Sequence, residues 1–291
     1  MQNKSRFETC PCCEHNKLTP FPKHTAEYMP PADWKDFFYG KNSFLGPVSK
    51  CENCHFHFLE NPSEHADKFY KSADISDYMN SENPRQDYFK KVKKDIEIMF
   101  PEISDVSNIV DFGCASGSWL AQWDQRYTRI GVEVNEDFRE VLESKDIRME
   151  NSLEGVDLKT SSIISAFDFV EHVEDPRGFL EYLASGKNQA SNFYVFGVPD
   201  MGRLAAKYLG TNYYLYCPMH FNYFDRISLG KLCVRVFPDH DVKIINSPIM
   251  YTNIDGILKW VLPKLNVGKL GAIPIPIGYR SNIIAILSPK A

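Results

Sequence analysis

One stretch, from Asn108 to Glu133, constrains the fold of this chain more than any other. It opens with a short apolar run, Ile109–Phe112, as expected of a strand that is buried on both faces. Gly113 and Gly117 end the run, and the small residues Ala115 and Ser116 lie between them, so a ligand can approach the backbone closely. Apolar side chains at helical spacing then follow at Trp119, Leu120 and Trp123. The segment therefore predicts a strand, a tight turn and a helix.

The next predicted strand, Arg129–Val132, ends in an acidic residue, Glu133. That residue lies about 20 positions beyond the turn, where a carboxylate accepts hydrogen bonds from ribose hydroxyls. The turn fits the dinucleotide fingerprint poorly, because Ala115 and Ser118 stand where that fingerprint has glycine. A nucleoside ligand is thus indicated, and a nicotinamide-dependent oxidoreductase is a less favoured alternative.

The turn resembles the first motif of class I S-adenosylmethionine-dependent methyltransferases. It reads Asp-Phe-Gly-Cys-Ala-Ser-Gly. The motif of that family begins with an acidic residue and contains three glycines; this chain keeps the acidic residue and the first and last glycines, and Ala115 replaces the middle one. The structural alternative is a plain strand-to-helix turn in another α/β protein. The resemblance implies that S-adenosyl-L-methionine is bound by Asp111, Gly113, Ala115, Gly117 and Glu133.

Strands and helices alternate along the rest of the chain, which favours an α/β fold with a doubly wound, parallel, Rossmann-like methyltransferase sheet. Beyond the two strands already given, further strands are predicted at Ile147–Met149, Ser162–Phe167, Asn192–Val198, Val242–Ile245 and Ser281–Leu287. Helices are predicted at Pro84–Phe100, Glu136–Ser144 and Pro176–Leu183, with one inserted helix at Ile254–Leu262 before the last strand.

The predicted strand ends supply more cofactor-binding candidates, because ligands of such sheets bind at the carboxyl ends of the strands. Ser152 follows the third strand, and Asp168 and Phe169 follow the fourth, with Phe169 placed to flank an adenine. Tyr78 or Tyr70, from the segment before the core, is a candidate to close over the cofactor. Packing between domains is the alternative role for either tyrosine.

The resemblance extends over most of the chain. Phe167–Pro176 is similar to the Asp-x-x-Glu-His-x-x-Asp-Pro stretch of the same family, and Phe196–Asp200 resembles its fifth-strand ending. Pro218–Phe224 is similar to a later stretch with a histidine before an aromatic residue. Members that methylate carbon atoms of sugars carry Glu directly before that histidine, whereas this chain has Met219. This departure counts against methylation of carbon and leaves oxygen or nitrogen as the methylated atom.

Two histidines are candidates for the base that takes a proton from the methyl acceptor, since histidine titrates near neutral pH. His220 lies in the loop after the fifth strand and is the preferred catalytic residue, and His172 follows the fourth strand. A structural, hydrogen-bonded histidine is the alternative for each. The loop Met201–Phe221 also carries four tyrosines, which shape an acceptor pocket or form an interface.

Two Cys-x-x-Cys pairs lie near the N-terminus, and two such pairs facing each other form a closed tetrahedral zinc site. The favoured ligands are Cys10, Cys13, Cys51 and Cys54. Cys12 competes with Cys13, while His15, His55 and His57 are substitutes; four ordinary thiols are the alternative. A subgroup of the same methyltransferases, which includes sugar-nucleotide enzymes, carries such an N-terminal zinc domain.

The predicted organisation has three parts: a zinc-binding domain at residues 1–62, a linker at 63–83, and a methyltransferase core at 84–291. A different class of protein remains as a second alternative. In it, the cysteine pairs form a zinc ribbon that binds nucleic acid or protein, and the core is a degenerate methyltransferase scaffold.

Composition and charge limit the kinds of partner that this chain is expected to bind. The chain has 43% hydrophobic residues and a net charge of −5, without the basic excess of nucleic-acid-binding proteins. Nucleic acid is therefore a disfavoured partner and a small-molecule methyl acceptor is favoured. The sequence shows neither a signal peptide nor an apolar run long enough to span a membrane, so we expect a cytoplasmic protein with reduced thiols. Its oligomeric state is not indicated.

Overall fold

The structure, a computed structural model, describes most of the chain. The described residues are 5–21, 47–61, 70–71, 75–79, 82–156, 162–185, 189–210, 213, 215–217, 219–252, 277–279 and 282–290. The predicted helix Ile254–Leu262 and the tyrosine at position 214 lie outside these residues. Within them, none of the helices combines the length and the apolar character needed to cross a bilayer.

Seven strands form the central sheet. They are β4 (Asn108–Phe112), β5 (Thr128–Val132), β6 (Arg148–Glu150), β7 (Ser162–Phe167), β8 (Phe193–Pro199), β10 (His240–Asn246) and β13 (Asn282–Pro289). Their order across the sheet is β10-β13-β8-β7-β4-β5-β6. Neighbours from β8 to β6 pair in parallel, whereas β13 runs antiparallel between β8 and β10. The expected doubly wound sheet is present, with this one strand reversed.

Two smaller sheets complete the described strands. The N-terminal strands β1 (Leu18–Pro20), β2 (Val48–Cys51) and β3 (His57–Leu59) pair antiparallel, and β3 also pairs with the core strand β9 (Asn222–Tyr223). Strands β11 (Met250–Thr252) and β12 (Ile277–Tyr279) pair with each other.

Helices cover the central sheet. They are α1 (Ser76–Met79), α2 (Glu82–Met99), α3 (Arg139–Ser144), α4 (Pro176–Ala184), α5 (Leu204–Leu209) and α6 (Arg226–Val236). Helix α2 confirms the helix predicted at Pro84–Phe100, and its buried residues Tyr88, Phe89, Val92 and Ile96 form one apolar face. Strands β7 and β8 are buried along their whole length, as their apolar sequences predicted.

The helix predicted after the glycine turn is wrong. Only a short 3-10 turn forms, at Leu120–Gln122, and Trp123 is already extended. Trp119 and Trp123 are each 1% exposed and pack edge to face, with ring centroids 5.3 Å apart. Trp119 also packs against the ring of Phe167 at 5.1 Å, so tertiary contacts rather than an amphipathic helix place these side chains.

The N-terminal module is joined to the core by hydrogen bonds and ion pairs. Besides the pairing of β3 with β9, the Leu59 amide donates to the Phe221 carbonyl at 2.8 Å. The Arg6 guanidinium donates to Asn222 Oδ1 at 2.6 Å. Glu14 forms ion pairs with Arg177 of α4 and with Arg235 of α6. The sheet of the module therefore includes a strand from the core.

Candidate active site and cysteine cluster

The order of strands in the sheet places the glycine turn at a crevice. Strand β4 is flanked by β5 on one side and by β7 on the other, so the chain reverses its direction of winding at β4. Ligands of doubly wound sheets bind at the carboxyl ends of the strands beside such a point. The turn that follows β4 and Glu133 at the end of β5 both lie there.

The turn needs glycine at two positions. Gly113 and Gly117 have φ of 69° and 72°, in the left-handed region that only glycine adopts at little cost. A Cβ at Gly113 would lie 2.5 Å from Cδ2 of Phe169, and one at Gly117 would lie 2.7 Å from Cδ2 of Leu142. Ala115 between them also has a positive φ, of 46°. The backbone is thus folded back on itself as the motif predicts.

Glu133 faces the turn. Its Oε2 accepts a hydrogen bond from the Ala115 amide at 3.0 Å, while its Oε1 accepts from the amides of Val134 and Asn135 at 2.8 and 2.9 Å. Burial raises the pKa of the Glu133 carboxyl, and the three amides oppose that shift. A strand-end carboxylate is therefore held in front of the glycine turn, as a ribose-binding role requires.

Asp111 lies beneath the turn at 4% exposure. Its Oδ1 accepts a hydrogen bond from Ser165 Oγ of the adjacent strand β7 at 2.7 Å. Burial raises the pKa of this carboxyl to about 7, although the bond from Ser165 opposes the shift, and the charge of Glu133 raises it further. Asp111 thus ties the first residues of the motif to the neighbouring strand.

A network that the sequence did not reveal supports the turn from α2. The Glu82 carboxylate accepts hydrogen bonds from Ser116 Oγ at 2.5 Å, Ser118 Oγ at 2.8 Å and Lys145 Nζ at 2.6 Å. Lys145 also donates to the Ser116 carbonyl at 2.7 Å. Burial raises the pKa of Glu82, but Lys145 and the hydroxyls outweigh it and lower the pKa to about 2. An acidic residue at the start of a helix was the only local signal.

The predicted cofactor residues Phe169, Asp168 and Ser152 have different surroundings. Phe169 reaches the crevice, because its ring lies against Gly113, and it packs on Phe179 with centroids 5.2 Å apart. Asp168 has a φ of 50° and accepts a hydrogen bond from Asn282. Ser152 is exposed, and its hydroxyl contacts the neighbouring Glu154.

Both predicted tyrosines are held by tertiary contacts. The Tyr78 ring packs edge to face on Phe138 at 5.5 Å, and the Arg85 guanidinium lies 3.2 Å from the Tyr78 ring centroid. Burial raises the pKa of Tyr78, and the charges of Asp168 and Asp111 add to that shift. Tyr78 is therefore close to the carboxyl ends of β4 and β7. The Tyr70 hydroxyl instead lies 2.6 Å from Nδ1 of His172.

The two predicted histidines lie together, with ring centroids 4.8 Å apart. His172 Nδ1 is 2.7 Å from the Met219 carbonyl, and His220 Nδ1 is 2.8 Å from the Leu215 carbonyl. Because a carbonyl oxygen can only accept a hydrogen bond, each Nδ1 carries a proton. In a neutral ring, the lone pair is therefore on Nε2. Burial lowers the pKa of His220, but the Cys217 thiol and Glu171 outweigh it and raise the pKa to about 9.

Glu171 lies against these histidines. It does not cap the following helix, because Asp175 accepts the hydrogen bonds from the amides of Arg177 and Gly178 there. Glu171 is 1% exposed, and neither of its carboxylate oxygens accepts a hydrogen bond from another described residue. Burial raises the pKa of Glu171 to about 8. The sequence does not show that Glu171 lies beside His220, because His220 is 49 residues further along the chain.

The tyrosines of the loop before His220 have different environments. Tyr208 on α5 is 92% exposed, whereas Tyr213 and Tyr216 are buried in a cluster with Met219 and Tyr223. The buried tyrosines therefore support the segment that carries His220.

The four predicted metal ligands form one cluster. The Sγ atoms of Cys10, Cys13, Cys51 and Cys54 all lie within 4.8 Å of one another. Cys10 Sγ and Cys54 Sγ are 3.4 Å apart, and Cys13 Sγ and Cys51 Sγ are 3.5 Å apart. Four thiol sulfurs at these separations fit a tetrahedral Zn²⁺ site with Zn–S bonds of about 2.3 Å.

The alternative ligands are less well placed. Cys12 is 1% exposed and contacts the thiols of Cys10 and Cys54, but it is not one of the four sulfurs of the cluster. His57 is bound through Nδ1 to the Tyr216 hydroxyl at 2.5 Å. His55 is largely exposed and faces Asp225.

Comparison with known proteins identifies the class. A family model described as a methyltransferase domain matches residues 85–236, more than half of the chain. The protein belongs to this methyltransferase domain family, and the prediction of a methyltransferase is confirmed. A search of curated proteins found no matching sequence.

Solved structures of methyltransferases share the fold. The plantazolicin methyltransferase BpumL with a triazolic desmethylPZN analog and SAH has a TM-score of 0.53 at 16% identity, over 78% of this chain and 95% of that chain. BpumL with SAH alone gives 0.51 at 13% identity, over 78% and 94%. A SAM-dependent methyltransferase from Archaeoglobus fulgidus gives 0.48 at 20% identity, over 73% and 99%. At these identities the likeness concerns the fold.

Proposed function

We propose that this protein transfers a methyl group from S-adenosyl-L-methionine to a small-molecule acceptor. The observation that carries the proposal is the position of Glu133, whose carboxylate is held at the end of β5 in front of the left-handed turn at Gly113–Gly117. The fold shared with structures that contain SAH supports the same choice of methyl donor.

The chain's own residues bind and orient the reactants. Glu133 accepts hydrogen bonds from the two ribose hydroxyls, and the glycine turn lets the cofactor approach the backbone. Phe169 lies beside the turn, where an apolar ring packs against the adenine or the methionine chain. Bound S-adenosyl-L-methionine supplies an activated methyl group for in-line displacement, so most of the catalysis is alignment of donor and acceptor.

The acceptor side is formed by the segment from Asp168 to His172 and by His220. Both segments follow carboxyl ends of strands on the same edge of the sheet as the turn. His220 remains the preferred proton acceptor, with His172 second, because histidine is the side chain that most readily exchanges a proton near neutral pH. A sugar carried on a nucleotide is the acceptor class that the subgroup resemblance favours. Met219 is buried and has no carboxylate, so this chain lacks the glutamate that stands before the histidine in the carbon-methylating members.

Zinc in the cysteine cluster has a structural role in this proposal. Four thiolates close the coordination sphere and leave no position for a reactant. The cluster lies beside β2 and β3, and β3 pairs with a core strand that begins two residues after His220. Zinc binding thus helps to fix the segment that carries His220.

Calorimetry with S-adenosylhomocysteine tests the proposal against its alternatives. We expect micromolar binding of S-adenosylhomocysteine, no binding of NAD⁺ or NADP⁺, and no salt-dependent binding of a short RNA or DNA. Binding of a nicotinamide nucleotide alone would favour the oxidoreductase, and nucleic-acid binding alone would favour the zinc-ribbon module. Either result would contradict methyl transfer as the function of this chain.

A further inference from the structure

Glu171, His172 and His220 form a second group of metal-ligating side chains, separate from the cysteine cluster. One ligand atom from each residue lies within 4.8 Å of the other two. First-row divalent ions bind nitrogen and oxygen at about 2.0–2.2 Å, so two ligands of one tetrahedral ion lie about 3.3–3.6 Å apart. Side-chain movements of up to about an ångström would close the group around an ion.

The imidazoles are oriented as metal ligands are. Each ring donates its Nδ1–H to a backbone carbonyl, His172 to Met219 and His220 to Leu215. Such bonds fix the tautomer and the ring plane of metal-binding histidines and leave Nε2 to coordinate. The Tyr70 hydroxyl lies 2.6 Å from the same Nδ1 of His172 and further restrains that ring.

The carboxylate supplies the second, independent observation. Glu171 is 1% exposed, yet both of its oxygens lack a hydrogen bond from any other described residue. A buried carboxylate without partners is costly, and its Oε1 lies 3.9 Å from Nε2 of His172. A cation between the carboxylate and the two rings satisfies all three groups at once.

We propose that Glu171, His172 and His220 bind a divalent late first-row transition-metal ion. Two imidazoles with one carboxylate favour Zn²⁺, Co²⁺, Ni²⁺, Fe²⁺ or Mn²⁺ over Mg²⁺ and Ca²⁺, which favour all-oxygen sites. Three protein ligands leave at least one position for water or for an oxygen atom of the methyl acceptor. With an ion bound, His220 would be a ligand and could not accept a proton; the ion would instead lower the pKa of a hydroxyl group that binds to it.

A metal count on the purified full chain tests the site. After passage over a chelating resin, the protein is titrated with Co²⁺ or Zn²⁺ and the bound metal is measured by mass spectrometry. We expect two equivalents per chain in the wild type, and one equivalent in Glu171→Gln and in His220→Asn. The matched control is Glu174→Gln, which removes the same charge from an exposed position three residues away and keeps two equivalents.

The first equivalent, bound by the cysteine cluster, shows that the N-terminal module of each variant is folded. The thermal unfolding of each variant is then compared with that of the wild type. One equivalent in the wild type with every ion tried would overturn the proposal, as would a second equivalent that survives in Glu171→Gln. Failure of S-adenosylhomocysteine binding would contradict the proposed methyl transfer but would leave the metal count unchanged, so the two proposals fail separately.

Discussion

In the proposed function, recognition of the cofactor depends on Glu133. Its two oxygens accept three backbone hydrogen bonds, one of them from Ala115 in the turn. When a ribose occupies the crevice, a charged carboxylate is the strongest acceptor that the site can offer to its hydroxyls.

Replacing Glu133 by Gln tests this role. Hydrogen bonds to a charged group contribute about 1.5–3 kcal/mol each, so we expect the Kd for S-adenosylhomocysteine to rise by a factor of about 30 or more. Calorimetry measures the change. Glu140→Gln, an exposed position on α3, is the control and should change the Kd by less than about twofold. Equal affinities in the two variants would contradict ribose binding by Glu133.

Asp111 gives the protein a distinctive pH dependence. Its carboxyl has a pKa of about 7 when folded, against an ordinary value of 3.8. Between these values the folded chain holds a proton on Asp111 that the unfolded chain releases, so the contribution of Asp111 to stability falls as pH rises from about 4 to 7 and then levels off.

Asp111→Asn lacks this titration. Relative to the wild type, the variant should therefore gain free energy of unfolding across the same window, by up to about 1.4 kcal/mol per pH unit. Urea unfolding of both proteins at several pH values measures the difference, and contributions from zinc cancel because both proteins contain the cysteine cluster. A difference that stays constant from pH 4.5 to 7.5 would show that Asp111 is not perturbed by burial.

The glycine turn is the element that shapes the crevice. Gly113 combines a left-handed φ with a close approach to Phe169, whereas Gly210, at the end of α5, has a left-handed φ of 54° with no atom within 4 Å of its Cβ position. The two glycines therefore separate backbone strain from steric overlap.

We expect Gly113→Ala to destabilise the fold by about 1–3 kcal/mol more than Gly210→Ala, because only the former overpacks a neighbour. Urea unfolding provides the comparison. Adding Phe169→Ala to Gly113→Ala should recover part of the excess, in a double-mutant cycle. If the two alanine variants are equally unstable, Phe169 does not enforce the glycine.

Elements with strong local patterns could be predicted from the sequence. Strands β4, β7 and β8 are apolar runs buried on both faces, and α2 has a regular apolar stripe. The expected helix at Trp119 failed because helical spacing of aromatic residues also fits a 3-10 turn whose side chains pack on Phe89 and Phe167.

Parts of the candidate site depend on contacts between distant residues, which no local pattern encodes. Glu82 meets Ser116 across 34 positions. Glu171 meets His220 where the Phe221 amide donates to the Glu171 carbonyl at 2.7 Å. The motif residues Gly113, Gly117 and Glu133 were predictable, since the turn chemistry and the spacing to the next strand are local. Their roles in cofactor binding remain predictions.

At the scale of the whole molecule, the cysteine cluster and the core share one sheet through the pairing of β3 with β9. We therefore expect zinc loss in Cys51→Ser to lower the Tm of the whole chain, in a single transition. Metal analysis and near-ultraviolet circular dichroism, which reports the buried core tryptophans, measure the two effects. Cys12→Ser is the matched control, which should retain zinc. A core transition that is unchanged in Cys51→Ser would show that the module folds independently.

The most direct test of the account is a crystal structure of the complex with S-adenosylhomocysteine. We predict that both ribose hydroxyls lie about 2.6–3.2 Å from the Glu133 carboxylate, with the methionine chain over the backbone of the Gly113–Gly117 turn. A ligand bound elsewhere on the chain, or a Glu133 side chain directed away from the ribose, would contradict the account.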